Sequence, residues 1–208
     1  MTILKRLDIF WRHCDVTIGF KITAFDAVIR AKLLYGLESA QLNPSQQRRI
    51  EVFQLKGFRK ILKMKTTYVE RNNSNAEVFR RANEAIQHET PAGKPQKTVR
   101  AFVTCYRNSR MKRLARVFKM SDDHPVKHIT FAPNNSNLIL PWIPPNRRVG
   151  RPRFKWVTET MSDMWTNMAS IHPAAPNAFD REGNVTQHDI LREAILSDSS
   201  SEPPFLFK

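Results

Sequence analysis

Apolar residues recur along most of the first 120 positions at helical rather than strand spacing, and the pattern predicts a mostly α protein. Leu4 to His13 forms a short first element that is apolar on one side, with Asp15 or Thr17 placed to cap the next. Ile18 to Leu37 is apolar around most of its circumference through Phe20, Ile22, Phe25, Val28, Ile29, Leu33, Leu34 and Leu37, which predicts a central helix with little polar face. Asn43-Pro44 pairs an N-cap residue with proline at the first helical position and opens a third helix to about Met64. Ser74 or Asn75 caps a fourth, Ala76 to His88, after which Thr90-Pro91-Ala92-Gly93-Lys94-Pro95 breaks the chain. A fifth helix spans Lys97 to Lys119.

Five prolines and four asparagines between Asp122 and Val149 predict a long irregular segment, with one short extended piece at His128 to Phe131. Pro152 starts a sixth helix through about Met168, and Val185 to Leu196 makes a seventh before a loose tail from Ser197. The expected organisation is a helical bundle over residues 1–90, a second basic helical module over 97–170 containing the irregular loop 122–149, and an acidic C-terminal segment over 171–208. No repeat of 20 to 50 residues is present.

Charge changes the picture. The 208 residues carry 34 Lys and Arg against 19 Asp and Glu, for a formal net charge of +15, and 41% hydrophobic residues place the chain among globular proteins. Residues 1–155 hold 31 basic against 11 acidic side chains, whereas residues 156–208 hold 3 against 8. The first part therefore faces a polyanion: nucleic acid first, with anionic surfaces and acidic proteins as the rivals. No run approaches the 18 apolar residues of a membrane span, and charges at Lys5, Arg6, Asp8, Arg12 and Asp15 interrupt any signal-peptide core. Cys14 and Cys105 are too few for a disulfide scaffold or a cysteine-based zinc site and predict a reducing compartment with ordinary buried thiols.

The third helix combines packing with binding. At 100° per residue, Ile50, Phe53, Leu55, Gly57, Phe58, Ile61 and Leu62 share an arc of about 200°, while Arg48, Arg49, Lys56, Arg59, Lys60 and Lys63 share a separate arc of about 120°. Glu51, the helix's one acidic residue, lies off the basic arc, so the six charges are expected to lack local partners. They either contact phosphate or form a solvated face. The fifth helix is the most basic element, with Arg100, Arg107, Arg110, Lys112, Arg113, Arg116 and Lys119 and no acidic residue.

A second basic constellation gathers Arg147, Arg148, Arg151, Arg153 and Lys155 around Gly150 and Pro152. Val149 and the helical pattern from Phe154 argue against a flat minor-groove hook. An extended basic segment entering a helix can hold a phosphate at the helix's N-terminal amides, or its arginine stems can simply cover apolar surface. Chemistry-bearing arrangements are sparse. Asp122-Asp123 lacks the flanking apolar strands of a polymerase carboxylate pair, and Pro125 denies His124 and His128 a common helix for a metal. With no phosphate-binding glycine loop or nucleophile motif either, no catalytic residue, metal site or cofactor is expected.

The stretch Phe25-Asp26-Ala27-Val28-Ile29-Arg30-Ala31-Lys32-Leu33-Leu34-Tyr35-Gly36-Leu37-Glu38-Ser39, then Arg49-Ile50-Glu51-Val52-Phe53-Gln54 and Gly57-Phe58-Arg59-Lys60-Ile61-Leu62, resembles the region after the catalytic palm in reverse transcriptases of non-LTR (LINE-type) retrotransposons. Ser74-Asn75-Ala76-Glu77-Val78 resembles that family's Thr-Asn-Glu-Glu-Val helix start. Arg113-Leu114-Ala115-Arg116-Val117 is similar to its Leu-Leu-Gly-His segment with glycine and histidine replaced. His124-Pro125, Thr130-Phe131 and Arg148 to Val157 look like its downstream stretch. The resemblance spans roughly residues 10 to 165. It implies a thumb-like bundle that grips RNA or an RNA/DNA duplex, in a truncated or re-used fragment lacking the palm's paired aspartates. The implied partners are such nucleic acids, a catalytic reverse transcriptase chain or a ribonucleoprotein, without a membrane. The implied setting is intracellular, a nuclear or cytoplasmic ribonucleoprotein ahead of an organelle. The rival expectations are a structural RNA-binding subunit of a large ribonucleoprotein, such as an organellar ribosome, and a retroelement remnant without selected function.

Overall fold

The computed structural model describes residues 7–89, 97–131 and 156–169, which are mostly helical and contain no β-strand. The helices are α1 (Asp8–His13), α2 (Ile18–Phe25), α3 (Ala31–Leu34), α4 (Pro44–Ile61), α5 (Asn75–Glu89), α6 (Phe102–Lys119), α7 (Pro125–Thr130) and α8 (Trp156–Ala169). A π-helical turn, Asp26–Arg30, joins α2 to α3, and a 3₁₀ turn covers Leu37–Ser39. The expected seventh helix at Val185 to Leu196 and most of the loop 122–149 lie outside the described residues. The chain forms two compact units, Met1–Tyr35 with Leu42–Cys105 and Gly36–Gln41 with Tyr106–Lys208. The passage between them at Cys105 falls inside α6, whereas the sequence pattern puts its break at residues 90–97.

In the first unit, local signals start each helix. The Thr17 side chain accepts from the Phe20 amide, and Ser74 Oγ accepts from the Glu77 amide. Asn43 and Gln46 form a reciprocal capping box around Pro44, satisfying amides that no helical carbonyl reaches. The core is aromatic: Phe25 touches Trp11, Phe58 and Phe102 at ring-centroid distances of 5.9, 5.3 and 6.0 Å. Gly19 lets α2 approach α5 closely, because a Cβ there would meet the Ala85 carbonyl; its amide donates to Glu89 Oε1 at 2.8 Å. Buried Gln54 on α4 donates to the Arg100 carbonyl at 2.9 Å and accepts from the Phe102 amide at 2.8 Å, fixing the start of α6.

The helix predicted to be central is only half so. Ile22, Phe25 and Ile29 are buried, but Ile18, Phe20 and Val28 face solvent. In the π turn, Asp26 pairs with Arg30 at 3.2 Å, yet burial keeps the Asp26 carboxyl above its ordinary 3.8, with Arg30 opposing the shift. A native pKa above the unfolded one gives a contribution fully present below about pH 3.8 and lost as pH rises through the folded value. The Asp26→Asn variant should therefore gain relative to the parent as pH is raised from 3 to 7, measured by denaturation midpoints at both pH values. The opposite trend would show that the Arg30 pair outweighs desolvation.

The second unit packs α6, α7 and α8 around Met111, Leu114, Phe118, Phe131, Met161, Met164 and Trp165. The strap Gly36–Gln41, entered through Gly36 at φ 72°, is tied down by three side chains. The Tyr106 hydroxyl donates to the Ala40 carbonyl at 2.7 Å, Trp156 Nε1 donates to the Glu38 carbonyl at 2.9 Å, and Arg110 donates to the Gln41 side chain. Of the piece expected to be extended at His128–Phe131, His128 to Thr130 are instead the end of the helix α7 and only Phe131 is extended. His124 Nδ1 caps it by accepting from the Val126 amide, and Pro125 sits at its first position. Cys14 is exposed and Cys105 half-buried, so neither is the buried thiol expected.

Candidate nucleic-acid interface

The cationic face of α4 follows from its packing. Ile50, Gln54, Leu55, Gly57, Phe58 and Ile61 turn inward, which leaves the opposite arc to the charged residues. Arg48, Arg49 and Lys56 are exposed on it and Lys63 is exposed just past its end, and none of the four side chains makes an ion pair or hydrogen bond among the described residues. They extend over roughly 20 Å of helix at 1.5 Å per residue, with half-exposed Val52 between them. Lys63 lies just past the helix rather than inside it. The Met64 amide closes back on the Arg59 carbonyl at 2.9 Å, and Lys63 takes φ 55°, a left-handed position more often filled by glycine.

The other two members of the arc lack local partners, as expected, but hold the fold together through partners from other elements. Lys60 pairs with Asp8 from α1. Arg59 Nη2 donates to the Asn73 carbonyl at 3.3 Å and to Asn75 Oδ1 at 2.9 Å. Inspection of one helix could not find these partners, because both arrive from other elements.

A contrast within the same unit sharpens the point. On α5, Arg80 bonds Glu77 and Glu84, and Arg81 bonds Glu77, all within one helix. Those hydrogen bonds hold the half-buried Glu77 carboxyl down to about 2. The α5 arginines are thus neutralised by their own helix, and the α4 cations are not.

The expected contacts Arg147, Arg148, Arg151, Arg153 and Lys155 lie outside the described residues, as does the start at Pro152; the helix is described from Trp156. Helix α6 adds a surface that the site expectation omitted. Its position per turn places Lys112, Arg113, Arg116 and Lys119 on one arc of about 120°. Arg113, Arg116 and Lys119 are exposed, and Arg113 lies 3.5 Å from Glu38. Basic residues at i, i+1, i+4 and i+7 were the legible signal. Arg110, counted among that helix's charges, is instead buried in the core of the second unit.

No group of His, Cys, Asp or Glu among the described residues is placed to hold a metal ion. Asp122 accepts from Lys127 Nζ at 2.7 Å, a use for this carboxylate in the turn between α6 and α7. No described helix is long and apolar enough to cross a membrane. Comparison of the chain with protein-family models, with curated proteins and with solved structures finds no match.

Proposed function

We propose that the chain binds nucleic acid through phosphate contacts made by the outer face of α4, as a thumb-like bundle related to that of the non-LTR reverse transcriptases it resembles in sequence. The observation that carries this reading is the set of four exposed cations whose side chains make no bond among the described residues, three on a helix whose other side is core and the fourth just past its end. Unpaired like charges on one rigid surface repel one another, and a polyanion removes that cost while releasing its own counterions. Phosphate contacts of this kind position a duplex or strand without reading its sequence.

If each of the four cations neutralises one phosphate, log Kobs should fall against log salt with a slope of at least about −3.6 on duplex, from about −0.9 per contact. Changing Arg48, Arg49, Lys56 and Lys63 together to Gln should flatten the slope by about that amount and weaken binding similarly on all sequences. Because the side chains are exposed, circular dichroism should show unchanged helix content, with surface substitutions each worth within about 0.5 kcal/mol. Arg59 and Lys60 are left in place because they anchor other elements. A slope unaltered by the four changes would refute phosphate contact by this face. Copurification with stoichiometric structural RNA would instead favour a ribonucleoprotein subunit.

A further inference from the structure

The segment between α4 and α5 carries the most exposed aromatic side chain of the described residues, Tyr68, which is 97% accessible with Val69 also exposed beside it. The loop that presents it is firmly built. The amides of Val69 and Glu70 both donate to the Thr66 carbonyl at 3.0 Å, and the Asn73 amide donates to the Glu70 carbonyl at 3.1 Å. Asn73 is 2% exposed, and its Nδ2 bridges the Lys65 carbonyl and Glu70 Oε2, each at 3.0 Å. Arg59 then ties the loop's end to α4 through the Asn73 carbonyl. A buried amide, a guanidinium and two successive turns thus fix the loop that displays a bare ring.

The residues that flank that ring in sequence include free cations. Lys63, Lys65 and Arg71 are all exposed and make no side-chain bond among the described residues, while the acidic Glu70 is engaged by Asn73. An exposed aromatic ring on a hydrogen-bonded loop, with free cations beside it in sequence, matches the chemistry of single-stranded nucleic-acid binding, in which a base stacks on the ring and neighbouring phosphates meet the charges. A continuous duplex offers no such partner, because its base faces are already stacked on one another.

Resting on the nucleic-acid reading above, we infer that Tyr68 stacks on an unpaired base of a single strand whose phosphates run past Lys65 and Arg71 toward Lys63 at the end of the α4 face. The chain then holds a strand end or an unpaired segment, with α4 supplying charge and Tyr68 supplying discrimination between unpaired and paired nucleic acid. The ring needs no sequence preference, because every base has a face to stack.

The test measures fluorescence anisotropy of the full chain with a labelled 15-nucleotide oligo(dT), oligo(rU) and a closed dumbbell duplex without free ends. Tyr68→Ala should weaken binding to both single strands about tenfold, within the range of one stacked base. It should change binding to the dumbbell by less than about twofold. Tyr68→Phe and Tyr68→Trp should keep the parent's single-strand affinity, which a role for the hydroxyl would not allow. A side chain this exposed can be truncated without unfolding the protein, which circular dichroism of the variant would check. Equal losses on single strands and dumbbell, or no loss on either, would overturn the inference while leaving the α4 reading intact if the parent keeps its salt slope. A parent that binds none of the three probes would end both.

Discussion

Phe25→Ala should destabilise the first unit by about 3–5 kcal/mol, the usual cost of emptying a buried phenylalanine site. Phe25 has no solvent exposure and is the ring on which Trp11, Phe58 and Phe102 converge from three other helices. Its fourth side is closed by Gly57 on α4, where a Cβ would clash with Cζ and Cε2 of the Phe25 ring. Gly57→Ala should therefore also destabilise, by about 1–3 kcal/mol, because overpacking displaces the ring. This sign opposes intrinsic helix propensity, which favours alanine over glycine by about 1 kcal/mol. Since one substitution empties the volume the other needs, the double variant should lose less than the sum of the singles. Urea denaturation followed by circular dichroism on all four proteins closes the cycle. A stabilising Gly57→Ala, or strict additivity, would show that the ring is not seated against the glycine. The result bears on the interface too, since this packing turns the inner arc of α4 to the core and its cations outward.

That two-sidedness was legible in the sequence because 100° periodicity needs only one helix. The start of α4 was legible for a similar reason: Asn43, Pro44 and Gln46 are neighbours, and their capping chemistry is local. Its end was not, since Lys63 takes a left-handed conformation without the glycine that usually marks one. The partners of Arg59 and Lys60 were hidden because Asn73, Asn75 and Asp8 meet them only after folding. The helix α7 was hidden under β-branched residues, although His124-Pro125 had the form of a cap and a first helical position. Gln54 falls between Ile61 and Phe58 on the apolar arc of α4, and Arg110 falls between Tyr106 and Leu114 on that of α6. A polar side chain within an apolar arc was the available sign of a buried hydrogen-bonded group. For Arg110 the expectation of a charged, accessible helix concealed it.

Arg110→Ala should destabilise the second unit by about 3–4 kcal/mol, combining a cavity with the loss of acceptors left unpaired. The residue is 1% exposed. Its guanidinium lies 5.3 Å from the Tyr106 ring centroid and 5.9 Å from that of Trp156. Nη2 donates to the Gln41 side chain and, at 3.1 Å, to the Trp156 carbonyl, so one group joins the strap, α6 and α8. The nearest carboxylate contributes less than its charge suggests. Asp163 Oδ2 stands 3.9 Å from Nη1, and burial raises the Asp163 carboxyl above its ordinary value despite Arg107 and Arg110. The site is thus held chiefly by ring stacking and neutral acceptors, for which a planar fork is suited and a point charge is not. Arg110→Lys should accordingly stay about 1–2 kcal/mol below the parent, although it conserves charge. Arg110→Met keeps the stem between the rings without burying a charge, and should lose no more than the lysine variant. Tryptophan fluorescence during urea unfolding reads the effect, because Trp156 and Trp165 both lie in this unit. Full recovery by lysine would mean that the charge matters and the plane does not, which would assign the site to ion pairing with Asp163.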